Sequence, residues 1–249
     1  MNIDSLLSPA ELPALARRDL RGTVCVVFDI LRATSTFVTA LHHGAREIIP
    51  VSEIAEAVAI RNRRPKVLLA GERDGVRIRA AQSGGIDFDF GNSPREFTAK
   101  AVRGKTIVST TTNGTRALRA CAGAKTVLAA SFLNLTATAD FLRRKKDVLL
   151  VCAGTGADMA MEDVLAAGAL VELLTARAKA RVITSEAAEF ARQFFGRMQT
   201  DIAAHISLSK NGQRLRAIPE LRDDVAFCAQ RDVFKLVAEM QPDGGLRAK

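Results

Sequence analysis

The sequence predicts an α/β fold: three α/β/α layers around a largely parallel or mixed sheet, with a helical C-terminal region. Three observations predict it. From about residue 23, short β-branched runs alternate with helix-period segments, as repeated βα units require. Several of those runs are continuously apolar, which suits strands covered by helices on both faces. Beyond Val182 the strand-like runs give way to consecutive helical segments.

The strands are expected at Val24 to Asp29, Glu47 to Val51, Lys66 to Ala70, Thr106 to Thr110, Thr126 to Ala130 and Asp147 to Cys152. Helices are expected between and after them, at Ser35 to His43, Ser52 to Asn62, Pro94 to Val102, Gly114 to Cys121, Leu135 to Arg144 and Met161 to Arg177. Ser52 and Ser93-Pro94 read as helix starts, because a serine oxygen can accept a free backbone N–H and proline suits the first turn. Ser185 to Phe195, Asp201 to Ser209 and Pro219 to Cys228 complete a helical tail without intervening strands.

The length of 249 residues allows one domain over 1–249, or two subdomains with a cleft between them. Hydrophobic residues make up 48% and charged residues 25%, which excludes general disorder. The cysteines at 25, 121, 152 and 228 lack the spacing of a zinc or redox pair and read as reduced core residues. No signal peptide or membrane span is legible, so a cytoplasmic protein is expected. The charge of +9 suggests an anionic partner. The basic residues are dispersed and never interleave with aromatics, so nucleic acid is not the expected partner.

In parallel α/β sheets ligands bind beyond the carboxyl ends of strands, and the informative residues fall there. Asp29 is followed by Arg32, Thr34, Ser35 and Thr36, a turn that can hold a cation with its acid and a phosphate with its N–H and hydroxyl groups. Gly71-Glu72-Arg73 sets an acid and a base at the third strand's end. Thr111, Thr112, Asn113, Gly114, Thr115 and Arg116 form a hydroxyl-rich turn suited to an anion. Asn92 and Ser93 precede Pro94, and Glu162 and Asp163 open a long helix, where they suit the macrodipole and equally Mg²⁺. His42, His43 and His205 lack metal-ligand spacing. A Walker loop fails at Ala99, a cysteine-phosphatase loop fails at Asp158, and no Gly-x-Ser-x-Gly elbow is present.

Taken together, Phe28-Asp-Ile-Leu-Arg-Ala-Thr-Ser-Thr36, Gly71-Glu-Arg73, Phe88-Asp-Phe-Gly-Asn-Ser-Pro94, Thr111-Thr-Asn-Gly-Thr115, Ser131-Phe-Leu-Asn134 and Cys152-Ala-Gly154 with Glu162-Asp163 occur in that order. The chain resembles the 2-phosphosulfolactate phosphatase family from about residue 23 through Asp232. The segment Arg79 to Asp87 stands as an apparent insertion, while Asp223-Asp-Val-Ala-Phe-Cys228 fits the pattern.

The resemblance implies an Mg²⁺-dependent phosphoric monoester hydrolase forming 3-sulfolactate and phosphate on the way to coenzyme M. On that reading Asp29, Glu72 and Glu162 are the catalytic candidates, and Asp29, Glu72, Glu162 and Asp163 the metal ligands. Arg32, Thr34, Ser35, Arg73, Asn92, Ser93, Thr111 to Thr115 and Arg116 would contact a small, highly anionic substrate. One carboxylate would act as base, with Asp29 as covalent nucleophile kept open, and a homodimer is compatible. The alternatives are a phosphatase for another small phosphorylated acid and a non-catalytic phosphometabolite-binding protein.

Overall fold

The computed structural model describes residues 1–176, 178 and 181–249. Its strands, in chain order, are β1 (Asn2–Leu6), β2 (Thr23–Phe28), β3 (Glu47–Pro50), β4 (Leu68–Arg73), β5 (Val76–Arg77), β6 (Thr106–Thr110), β7 (Thr126–Ala130), β8 (Asp147–Cys152), β9 (Ile183–Thr184), β10 (Ala238–Met240) and β11 (Leu246–Ala248). Among the described residues they form one mixed sheet in the order β5-β4-β6-β3-β11-β10-β7-β2-β8-β1-β9. The helices are α1 (Ala33–His42), α2 (Ile54–Arg63), α3 (Ala80–Ser83), α4 (Ala99–Val102), α5 (Gly114–Ala120), α6 (Leu135–Leu142), α7 (Met161–Ala176), α8 (Glu186–Met198), α9 (Ile202–Leu208), α10 (Lys210–Arg216) and α11 (Arg222–Cys228). The expected end of α7 at Arg177 lies outside the described residues. None of the described helices is long and apolar enough to cross a membrane.

The α/β expectation holds, and alternation along the central strands explains its layers. In β2, Val24, Val26 and Phe28 face the core beneath α6, α7 and α8, while Cys25 and Val27 face a second core with Ala33, Phe37 and Leu41 of α1 and Ala117 and Leu118 of α5. In β8, Val148, Leu150 and Cys152 take the first side and Leu149 and Val151 the second. Both faces are thus apolar, and the strand reads as one continuous hydrophobic run. All four cysteines are free and buried. Burial pushes the Cys152 thiol up, and the Cys228 thiol to about 12, so neither is a ready thiolate.

The helical tail expected after Val182 is corrected by β9 and by the β10–β11 hairpin. That hairpin joins a parallel block β4-β6-β3 to a parallel block β7-β2-β8-β1 through antiparallel pairs on either side. The blocks therefore run in opposite senses along the sheet. Sheet twist of roughly 20–25° per strand pair accumulates to roughly 100–125° between β2 and β6. The carboxyl ends of β6 and β8 do meet, since Asn113 after β6 donates to the Gly154 carbonyl after β8 at 2.6 Å, and α1 and α5 pack together against one face of the sheet.

The expected helix Pro94 to Val102 is likewise corrected. It is a 3-10 turn, Pro94–Glu96, followed by α4, because Phe97 swings inward to 2% exposure and Thr98 is extended. The start expected at Ser52 lies one residue later, at Glu53, without a side-chain cap. The segment around Arg79 to Asp87 folds into α3, closed by Asp87 Oδ1 accepting the Ala80 N–H at 2.8 Å.

Gly168 decides how closely α7 and α8 pack. A Cβ there would lie 2.0 Å from the Ala191 carbonyl oxygen. Gly168→Ala gains about 1 kcal/mol of helix propensity, but overpacking against backbone falls at the upper end of about 1–3 kcal/mol or beyond. The steric effect wins, and calorimetry is expected to show Tm lowered by roughly 5 °C. An unchanged or higher Tm would mean that the two helices can separate at no cost.

Candidate active site

At the end of β2 the chain turns sharply into α1, and its polar groups are consumed in building that turn. Thr34 Oγ1 accepts the Asp29 N–H at 3.0 Å and donates to the Asp29 carbonyl at 2.9 Å. Ser35 Oγ donates to the Ile30 carbonyl and Thr36 Oγ1 to the Asn92 carbonyl. These buried hydroxyls are engaged by backbone groups, and none of the three side chains is among those lining the cavity beside Asp29. What the turn presents is Asp29, whose Oδ1 accepts the Ala33 N–H at 3.0 Å. A Cβ on Gly114 would sit 2.5 Å from Asp29 Oδ2, so only glycine leaves room for the carboxylate beside α5.

The turn after β6 follows the same rule. Thr111 and Thr115 exchange backbone-to-hydroxyl bonds at 3.1 and 3.2 Å and are buried. Thr112 and Asn113 are left facing a cavity of about 390 Å³. Glu72, at the end of β4, is fixed there by both of its oxygens. Oε1 accepts the Thr112 N–H at 2.8 Å and its hydroxyl at 3.0 Å, and Oε2 accepts the Gly75 N–H at 2.7 Å. The Asn113 amide donates to the Gly154 carbonyl at 2.6 Å, tying the β6 end to the β8 end.

Beneath this cavity lies a second pair of acids on α7. Glu162 Oε1 accepts the Asn211 amide at 2.7 Å, while its buried Oε2 has no partner among the described residues. Asp163 accepts the Ile30 N–H at 2.8 Å and the Gly154 N–H at 3.0 Å, bracing the ends of β2 and β8. Burial, reinforced by Glu72 and Glu162, pushes the Asp29 carboxyl up to about 7. Burial also raises the Glu162 carboxyl, and burial with the Asp29 and Glu162 charges raises Asp163 well above the usual range.

Arg32 supplies a cation at the cavity wall. Its Nη1 donates to Asp224 at 2.7 Å and its Nη2 to the Gly75 carbonyl at 2.6 Å. Of the other predicted substrate contacts, Asn92 also lines the cavity, whereas Ser93 turns to Asp224 at 2.7 Å. Arg73 is turned to the Glu72 carbonyl and Thr110, and Arg116 pairs with Glu53 on the surface. The structure brings neither to this cavity. The histidines are elsewhere too: His42 stacks on Phe234, His43 meets the Phe97 carbonyl and His205 the Asp201 carbonyl.

Among the described residues, no three Asp, Glu, His or Cys side chains form a group able to hold a metal ion by themselves. The donor set nevertheless fits a hard, water-rich cation. Mg²⁺ needs only one or two protein carboxylates and completes its shell with water and phosphate oxygens. Asp29 faces the cavity and Glu162 Oε2 is an orphaned buried acceptor beside it, two oxygens that a cation would satisfy.

The sequence profile of the family described as 2-phosphosulpholactate phosphatase matches residues 9–243. The chain belongs to that family. A Thermotoga petrophila protein named "Probable 2-phosphosulfolactate phosphatase" is 41% identical over 212 residues, covering 85% of this chain and 86% of the relative. Two proteins of the same name are similar over longer spans. The one from Caldanaerobacter subterraneus is 39% identical over 90% of each chain, and the one from Clostridium acetobutylicum is 32% identical over 96% of this chain and 97% of the relative. The family and these names indicate a phosphatase, a phosphoric monoester hydrolase.

Four residues of this 2-phosphosulfolactate phosphatase family member that sequence reasoning passed over belong to the site. Lys210, Asn211 and Arg214 of α10 line the cavity, and Asp224 of α11 holds Arg32. Asp224 was within reach, because the Asp223-Asp pair falls in a block that fits the family. For α10 the signal was weaker: Gly212-Gln-Arg-Leu215 only approximates a Gly-Arg block of the family, and the Asn211-Gly212 dipeptide reads as a turn.

Proposed function

We propose that the chain is an Mg²⁺-dependent phosphatase that hydrolyses 2-phosphosulfolactate to 3-sulfolactate and phosphate in the cytoplasm, a step toward coenzyme M. The observation that carries this reading is the convergence of three acids from distant parts of the chain: Asp29 and Glu72 line one polar cavity, and the charges of Glu72 and Glu162 both act on Asp29. Buried like charges at such density oppose one another, and a divalent cation is the partner that relieves them. Bound there, Mg²⁺ would neutralise charge developing on the phosphoryl oxygens and acidify water.

The chain's own groups have separable tasks. Asp29 has one oxygen anchored by the Ala33 N–H and no hydrogen bond on the other among the described residues, which leaves it able to take a proton from the attacking water. Glu72 fixes the Thr112 N–H and hydroxyl, and so sets the shape of the β6 turn. Arg32, held by Asp224 and the Gly75 carbonyl, offers a fixed positive charge to the substrate.

The test is phosphate release from 2-phosphosulfolactate with EDTA and with Mg²⁺ restored. Release should stop on chelation and return with Mg²⁺. Release indifferent to EDTA overturns the metal requirement. Turnover of other small phosphorylated acids but not of 2-phosphosulfolactate overturns the substrate.

A further inference from the structure

Apart from Arg32, the cations that line the cavity belong to a different element from its catalytic acids. Helix α10 lies across the mouth, and its position is tightly set. Ser209 Oγ accepts the Gly212 N–H at 3.0 Å, and a Cβ on Gly212 would lie 2.0 Å from the Ile206 carbonyl, so α9 and α10 meet backbone to backbone. Asn211 turns inward, its amide donating to Glu162 at 2.7 Å and Thr155 at 2.6 Å. With Asn211 fixed, Lys210 and Arg214, four positions apart and therefore on one helix face, both border the cavity.

Their present partners are weak ones. Lys210 meets Asp158 at 3.5 Å, both side chains 73% exposed, and Arg214 meets Asp74 at 3.2 Å, where Asp74 is 96% exposed. Long, solvated ion pairs of this kind contribute little and exchange readily for a better-placed anion. Arg32 has no such freedom, because Asp224 and the Gly75 carbonyl already engage its two Nη groups.

We propose that Lys210 and Arg214 recognise the anionic groups of the substrate other than its phosphate, and so select phosphate esters of small organic acids over simple monoesters. This rests on the phosphatase reading above. A phosphoryl group at the carboxylate end leaves the carboxylate and sulfonate pointing toward the mouth, where the two cations can replace Asp158 and Asp74 with charge-assisted hydrogen bonds. The flexible Lys210 stem and the planar Arg214 fork suit a tetrahedral sulfonate and a flat carboxylate.

The experiment uses the full chain with Lys210→Met, Arg214→Met and the double variant. It reads kcat and KM for 2-phosphosulfolactate and for p-nitrophenyl phosphate, and the calorimetric Kd of 3-sulfolactate, which carries no phosphate. Each substitution should raise KM for 2-phosphosulfolactate more than it lowers kcat. The preference over p-nitrophenyl phosphate should fall roughly tenfold per cation lost, with 3-sulfolactate binding weakened in parallel. Lys210→Arg should retain the preference.

Equal losses on both esters would mean that α10 acts only as structure, and an unchanged preference and Kd would mean that the cations recognise nothing; either overturns the proposal. If the wild type turns over neither ester, the phosphatase reading fails separately and the 3-sulfolactate Kd alone decides. Absence of 3-sulfolactate binding, or binding equal in all variants, then overturns this inference as well.

Discussion

Asp29→Asn is expected to lower kcat for phosphate release by on the order of 10²–10⁴-fold while making the metal-free protein more stable at pH 8. The two effects have one cause. Burial and the Glu72 and Glu162 charges push the Asp29 carboxyl up to about 7 from an ordinary value of 3.8, so the folded state holds the proton more tightly than the unfolded chain does. A raised carboxyl pKa makes folding less favourable as pH climbs from about 4 to about 7, and the penalty is then constant above that. Asparagine keeps the acceptor for the Ala33 N–H and never charges.

In EDTA, the variant's Tm should exceed the wild type's at pH 8, and the gap should close below pH 4. Mg²⁺ should raise the wild-type Tm most at high pH, where the carboxylate no longer has to lose a proton to bind it. Glu162→Gln should behave in the same direction, since burial raises its carboxyl too. Folded Asp29→Asn and Glu162→Gln proteins that both retain full turnover would remove these acids from the reaction.

The strands that carry this site were legible because each is a continuous apolar run, with partners on both faces demanding the same chemistry. β10 and β11 were not, since three residues each are too few to establish a period, and only the gap between two parallel blocks makes them strands. At the site, acids proved more readable than cations. Asp29 stands directly after β2, Glu72 at the end of β4 and Glu162 at the start of α7, positions that a strand-and-helix pattern marks without knowledge of tertiary partners.

Arg73 and Arg116 are adjacent in sequence to the same turns, but long side chains follow tertiary partners, here Thr110 and Glu53. Apart from Arg32, the cations that line the cavity come from a helix nearly 140 residues beyond Glu72, placed by the packing of Gly212 and the reach of Asn211. The threonine-rich turns suggested an anion cradle, yet most of their hydroxyls close the turns themselves. A buried backbone needs its donors and acceptors satisfied before any ligand arrives.

Asp224→Ala is expected to be the most destabilising single change at this site. Asp224 is fully buried and accepts from Arg32 Nη1 at 2.7 Å, Ser93 Oγ at 2.7 Å and Arg95 Nε at 2.8 Å. Truncation leaves the Arg32 guanidinium, its side chain 2% exposed, with only the Gly75 carbonyl. A buried charge stripped of its counter-ion costs about 3–5 kcal/mol, which at about 2–4 °C per kcal/mol for a chain of this size lowers Tm by roughly 6–20 °C.

Stability and function separate in the pair. Arg32→Met combined with Asp224→Leu replaces the ion pair by apolar side chains of similar bulk, a change that is often neutral for folding. The double variant should therefore recover most of the stability lost by Asp224→Ala, yet remain poor in turnover because the fixed cation at the cavity wall is gone. A cycle built from Arg32→Met, Asp224→Leu and the double variant should give a coupling energy of more than about 1 kcal/mol in thermal or denaturant unfolding. Strict additivity would mean that the two side chains do not act as a pair, and full activity in the double variant would mean that Arg32 does not serve the substrate.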